Sequence, residues 1–347
     1  MNDHSIPAFV TDTLFRSSLT RLASMTRTIR LILITAICTT IPLGSGLSWG
    51  QGVRQLAPGT LRVIPPEPNE EETYLGPVEL SALTQFEWEP NFSPPTATLR
   101  SKASQVTLRH NIWNLEFAFK PLRMVHVDIP QPTGRMQRKL VWYMVYRVRN
   151  LGEHLTPVPV EDEHGLRTYT SQRANEVMNI GAAQPTASVR FFPHFVLESR
   201  QVRKAYLDTI IPVAIPVIEQ REMRGGKLYN SVEISRVPIQ VGSADDDEEN
   251  AVWGVVTWMD VDPNIDFFSI YIQGLTNAFR TERTEDGQLV HRMKTLQLNF
   301  WRPGDSVYEH EGEIRYGIRA VANPEEQQYI LSWYNVDKRL DHLWIYR

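Results

Sequence analysis

The sequence predicts a mainly β protein: one or two antiparallel β-sandwiches with a short helical insertion, behind a signal peptide and a Pro-rich linker. Three observations predict it. Residues 140–152 alternate in the manner of a strand. Short aromatic and β-branched runs separated by turn residues recur after residue 250. A leader with basic and then apolar residues opens the chain, and a proline-dense stretch follows it.

The clearest element is the run at 140–152. Leu140, Trp142, Met144, Tyr146 and Val148 share one face, because successive side chains of a strand point to opposite sides. The other face begins apolar with Val141, Tyr143 and Val145 and turns cationic at Arg147 and Arg149. A half that is apolar on both faces belongs in the middle of a sandwich, and the strand is expected to emerge at its charged end. Asn150-Leu151-Gly152 supplies the turn chemistry that stops it.

The leader comes first in the chain. Arg27 and Arg30 precede an apolar run over residues 31–43, and the small residues Ser48 and Gly50 fit a cleavage site before Gln51. Pro42, Gly44 and Gly46 interrupt the run too soon for a good spanning helix, which needs about 20 apolar residues. The expectation is export with cleavage; an uncleaved amino-terminal anchor is the lesser alternative. A start at Met25 would leave a signal of ordinary proportions. The single cysteine, Cys38, lies inside the apolar run. Residues 51–347 therefore contain no thiol for a disulfide, a thiolate metal site or a cysteine nucleophile.

Removing residues 1–50 lowers the 36 basic and 40 acidic residues to 32 and 38, a net charge of −6 with His neutral. With no dense basic stripe, such a surface does not attract phosphate backbones, so no nucleic acid is expected as a partner. The composition, 42% hydrophobic and 22% charged, is that of a chain that can bury a core.

Residues 51–100 read as an extended linker or an arm, because eight prolines and Glu70-Glu71-Glu72 leave little apolar content. Part of it, around 78–88, could dock on the domain. From Gln105 the pattern is continuous β. Leu115, Phe117 and Phe119 alternate, as do Val125, Val127 and Ile129, and Phe191, Phe195 and Leu197 suggest a further strand. Residues 153–188 are polar and weakly periodic and predict a long loop. Residues 201–223 carry the best helical spacing, which Pro212 and Pro216 confine to a turn or two. Residues 228–240 return to strand. The acidic run 245–249 reads as a solvated loop or a boundary. Beyond it, strands are expected over 251–259, 267–275, 288–301, 306–318, 328–334 and 342–346, with Asp286-Gly287 as a hairpin turn. The resulting division is 1–50 signal region, 51–100 linker, 101–243 sandwich with insertion, and 251–347 as a second β domain or the second half of the same sandwich.

Few residues carry chemistry. Asp260, Asp262, Asn264 and Asp266 occupy alternate positions between two strands, a spacing at which oxygen ligands could converge on calcium. Against an EF-hand loop, Ile265 stands where that loop needs Gly and Tyr271 where it needs the bidentate Glu, so an Asx-rich turn is the plainer reading. The histidines after residue 50 are His110, His126, His154, His164, His194, His291, His310 and His342, and none forms a metal pair at helical spacing. No nucleophile elbow, phosphate loop or dinucleotide fingerprint occurs, and no catalytic or cofactor-binding residue is assigned. Trp253, Trp258 and Trp301 could stack on sugar rings, but Trp253 and Trp258 are five apart and fall on opposite faces of a strand.

The segment 146–152 resembles the strand-then-turn of immunoglobulin-like bacterial surface domains. Over most of 105–347 the chain is similar to uncharacterised exported proteins of planctomycete-type bacteria. The late signal, the Pro-rich spacer, Val141-Trp142-Tyr143 and the runs Val261-Asp262-Pro263 and Gly274-Leu275-Thr276-Asn277 carry that likeness. The resemblance implies immunoglobulin-like sandwiches and brings no known activity. The expectation is an exported, periplasmic or extracellular, non-catalytic protein of the cell envelope that binds protein or polysaccharide. A polysaccharide hydrolase with a carboxylate pair and a membrane-tethered periplasmic subunit are the alternatives.

Overall fold

The computed structural model describes residues 61–74, 96–98, 109–161, 167–173, 188–242, 250–286, 288–303 and 314–347. The signal region, segment 78–88, the acidic run 245–249, His164 and His310 lie outside the described residues.

The protein is mainly β, with antiparallel sheets. In chain order the first half contains β1 (Arg62–Ile64), a 3-10 turn (Glu70–Thr73), β2 (Glu116–Phe119), β3 (Arg123–Pro130), β4 (Met136–Arg149), β5 (Leu155–Glu161) and β6 (Arg167–Arg173). There follow β7 (Ser188–Arg190), β8 (His194–Ser199), β9 (Lys204–Leu207), α1 (Ile215–Glu222), α2 (Ser231–Ile234), β10 (Pro238–Gln240), β11 (Val252–Met259) and β12 (Phe267–Gln273). The chain finishes through β13 (Phe279–Arg283), β14 (Leu289–Trp301), β15 (Arg315–Tyr316), α3 (Pro324–Tyr334) and β16 (His342–Tyr346).

Two larger sheets face each other. The first runs β1-β2-β4-β11, with β3 continuing β2 along the same side of β4. The second runs β13-β14-β12-β8-β9, with β15 and β16 also on β14. Between them lies an aromatic core. Phe117 and Phe195 have ring centroids 6.4 Å apart, Tyr146 and Phe195 5.0 Å, Trp142 and Phe268 5.6 Å, and Phe119 and Phe300 6.0 Å. Offset and edge-on contacts of this kind add about 1 kcal/mol each to the burial of the rings. Strands from both sides of the acidic run meet within each sheet, since β11 pairs with β4 at eight positions and β12 with β8 at five.

The two apolar faces of β4 have different covers. Trp142, Met144, Tyr146 and Val148 enter the core between the sheets. Val141, Tyr143 and Val145 form a second core with Ile211, Ala214, Ile218 and Met223 from the α1 segment. The charged end does not emerge. Arg147 and Arg149 are 4% and 6% exposed, and Arg149 Nε and Nη2 donate to Glu116 on β2 at 2.8 and 3.0 Å. Partner strands satisfy what the sequence of β4 alone leaves charged. The turn follows as expected: Asn150 Oδ1 accepts from Gly152 N–H at 3.0 Å, and Gly152 has φ +70°.

Several elements differ from the sequence reading. Residues 328–334 belong to α3, not to a strand, because Asn323 caps the Glu325 N–H at 2.9 Å, Pro324 starts the helix and Asn335 ends it at φ +58°. Within 228–240, Asn230 and Glu233 form a capping box that makes α2, and only β10 is strand. The predicted loop at 153–188 contains the hairpin β5–β6. The helix expected over 201–223 is confined to α1, with β9 ahead of it.

Residues 61–74 join the fold, although their composition reads as linker. β1 extends the first sheet, and the 3-10 turn buries Glu72, whose Oε1 lies 2.6 Å from both Lys294 Nζ and Tyr346 Oη. Tyr74 bridges to Arg109, and His110 N–H donates to Thr73 O at 2.9 Å, so the chain on either side of 75–108 is tied at one place. No helix among the described residues is long and apolar enough to cross a membrane.

Candidate functional site

The four residues with calcium-ligand spacing lie on the turn between β11 and β12 and are engaged separately. Both Asp260 oxygens sit 2.9 Å from Lys139 Nζ. Asp262 Oδ2 accepts from Lys204 Nζ at 2.8 Å, and its Oδ1 accepts from Asn264 N–H at 3.0 Å. The Lys204 hydrogen bond, with that of the Asn264 N–H, holds the Asp262 carboxyl below the usual carboxylate range. Asp266 Oδ2 receives Gln201 Nε2 at 3.4 Å. The geometry is an Asx turn anchored by the fully buried Ile265. Among the described residues, no three His, Cys, Asp or Glu side chains converge where they could hold a metal.

The deepest carboxylates are structural. Glu72, Glu116 and Glu222 are each nearly fully buried, and each carries a cation: Lys294, Arg149 and Lys120 with Arg123, respectively. Trp253, Trp258 and Trp301 do not share one face as a sugar platform. Trp258 is buried between the sheets, Trp253 is buried on the opposite face under α1, and Arg315 and Arg319 lie 5.0 and 5.7 Å from the Trp301 ring centroid.

Among the described residues, a cleft of ligand size lies where the two sheets part. On one flank the chain after β9 bridges them, with Thr209 N–H donating to Thr257 O of β11 at 2.8 Å. On the other flank, the outer edge of β1 faces β15 and the start of β16 across an open cleft of about 630 Å³. That volume lies within the range of ligand sites. Four consecutive residues, 61–64, line one wall, so the backbone edge of β1 is presented and not one side-chain face.

The other wall holds Tyr316, whose hydroxyl lies 2.9 Å from His342 Nδ1. Register explains the pairing: Tyr316 opposes Phe300 and His342 opposes Leu298 on β14, so both side chains lie on the face turned toward the first sheet. Burial raises the Tyr316 hydroxyl well above the usual phenol value, with the nearby Asp341 carboxylate adding to it and Arg62 opposing. The Arg62 guanidinium covers the Tyr316 ring at 5.0 Å. Arg339, at the rim, donates through Nε and Nη2 to Ile318 O at 3.2 and 3.1 Å. Asp341 crosses Gly317, where φ is +96° and a Cβ would stand 2.4 Å from Asp341 Oδ1; only glycine lets the carboxylate lie there. Glu67 completes a lining of mixed charge.

The sequence offered little warning of this site. His342 is one of nine histidines, Tyr316 one of twelve tyrosines, and Arg62 lies in a stretch that reads as linker.

In comparisons with protein-family models, curated proteins and solved structures, nothing matches this chain. Fold and site together define a class only: a mainly β protein of antiparallel sheets with an open, polar cleft between two sheet edges.

Proposed function

We propose that the chain is an exported, non-catalytic protein of the cell envelope or extracellular space, an immunoglobulin-like sandwich that binds protein or polysaccharide through the cleft between β1 and β16. The observation that carries this reading is the cleft itself, lined by charged and apolar residues and of ligand size, with its Tyr316 ring already covered by Arg62. The three most buried carboxylates among the described residues are held by cations, so none of those three is available as an acid/base pair. Export rests on the basic and then apolar run up to residue 43 and on the lack of cysteine after residue 50.

The test joins localisation to contact. The intact mass of the native protein from fractionated cells should correspond to a chain beginning near Gln51 in a periplasmic or culture fraction. A photoreactive residue at Arg339 should cross-link envelope material that one at Tyr329, 60% exposed on α3, does not. A cytosolic full-length species, or equal cross-linking at both positions, would sink the reading. Polysaccharide turnover abolished by Asp341→Ala would replace it with the hydrolase.

A further inference from the structure

We infer that the cleft between β1 and β16 takes an extended peptide segment of a partner protein, added as a strand along the edge of β1 that no described strand pairs with. The inference rests on the binding role proposed above and narrows the partner class for the same cleft.

Two features favour a peptide backbone over a sugar. First, β1 ends its sheet: it pairs with β2 on one side, and no described strand pairs with its other edge. β16 likewise pairs only with β14 among the described strands. In an edge strand, alternate backbone N–H and C=O groups point outward, and an added strand satisfies them in a way that a saccharide cannot repeat along the edge. Second, sugars commonly dock on an open aromatic face, and the Tyr316 ring of the cleft is not open. The Tyr316 ring is flanked by Arg62 at 5.0 Å, Phe119 at 5.2 Å and Phe300 at 5.6 Å, and its hydroxyl is used by His342.

Charge points the same way. Arg62 and Arg339 are answered in the lining by Glu67 and Asp341, so a strongly anionic or cationic polymer gains little. A main chain of alternating donors and acceptors, with side chains of either sign, fits such walls. With only three residues in β1, the pairing covers a short stretch, and side-chain contacts with Arg339 and Asp341 would set preference.

The experiment uses the full chain. A random decapeptide phage library is selected on the immobilised protein, and the enriched peptide is resynthesised with single backbone N-methyl groups along its length. An edge-pairing peptide should lose affinity at least tenfold when alternate residues are methylated and little when the intervening ones are. It should also slow amide exchange in residues 61–64 and 342–346. An N-methyl scan without alternation, or peptide protection elsewhere on the chain, overturns the inference. The same exchange measurement with a tetrasaccharide from peptidoglycan separates the two proposals. Protection of residues 61–64 by the saccharide and not by any selected peptide removes the peptide and keeps the binding cleft. Protection by neither removes both.

Discussion

Glu222→Ala tests the reasoning about buried charge most directly. Glu222 is 1% exposed at the end of α1; its Oε1 accepts from Arg123 Nη1 at 2.8 Å and Tyr143 Oη at 3.0 Å, and its Oε2 lies 3.5 Å from Lys120 Nζ. Lys120, also 1% exposed, further donates to the Glu222 backbone carbonyl. Removing the carboxylate leaves a buried ammonium with only the backbone carbonyl and no counter-charge, and a buried phenol without its acceptor. The expected cost is about 3–5 kcal/mol, the range for breaking a buried pair at one partner. At a urea slope of about 3 kcal/mol/M, the midpoint should fall by roughly 1–1.7 M. Pairing Glu222→Leu with Lys120→Met should recover part of that loss, since it removes the unpaired buried charge and leaves only the Tyr143 hydroxyl without its acceptor.

The pH dependence has a fixed sign. Burial already pulls the Lys120 ammonium below its ordinary value, with Glu222 opposing. Without Glu222 the folded state favours neutral Lys120 still more. The variant should therefore regain stability as the pH rises toward the unfolded lysine value near 10.4 and show its largest deficit at neutral pH. Urea melts of full chain and variants at pH 7 and 10 provide the assay. A loss below about 1 kcal/mol, typical of a surface pair, or a double variant as unstable as the summed singles, would refute the reasoning.

Other predictions concern separate regions. His154 is 3% exposed, its Nδ1 accepts from Asn114 N–H at 3.3 Å, and burial lowers its pKa, so its contribution should be complete above about pH 6.5 and lost as the pH falls below that. A His154→Gln variant should flatten that part of the stability profile; an unchanged profile would place the acid sensitivity elsewhere. Gly254→Ala puts a Cβ 2.4 Å from Tyr146 Cζ inside the core and should cost about 1–3 kcal/mol, read as a lowered thermal midpoint. Combined with Tyr146→Leu, it should cost less than the two single changes together. Millimolar calcium should leave the midpoint where a chelator puts it, because Asp260 and Asp262 are held by Lys139 and Lys204; a rise that Asp262→Asn removes would reverse that assignment.

How much of this was legible in the sequence varies with the range of the interaction. β4 could be read from its alternation, and the hairpin after β13 from its turn residues, because both signals are local. α3 was open to the same kind of reading through Asn323-Pro324-Glu325, but aromatic content drew residues 328–334 toward a strand. The β5–β6 hairpin is polar because most of β5 lies at the surface, so no apolar alternation marks it. The burial of Arg147 and Arg149 depends on Glu116, some thirty residues earlier on a neighbouring strand, and no local pattern announces it. The cleft was out of reach for the same reason: residues near 62 form one wall and residues 316–342 the other.

The tie between Thr73–Tyr74 and Arg109–His110 has a consequence for how this protein can change over time. Besides the bridge and the His110 bond, Arg109 Nη1 donates to Thr73 Oγ1 at 3.0 Å, and its guanidinium stacks on Tyr74 at 5.0 Å. These contacts fasten the stretch that ends at Tyr74 and the stretch that begins at Arg109 to the same place. A substitution at Thr73, Tyr74 or Arg109 therefore loosens both stretches at once, so these three residues are expected to change together across lineages.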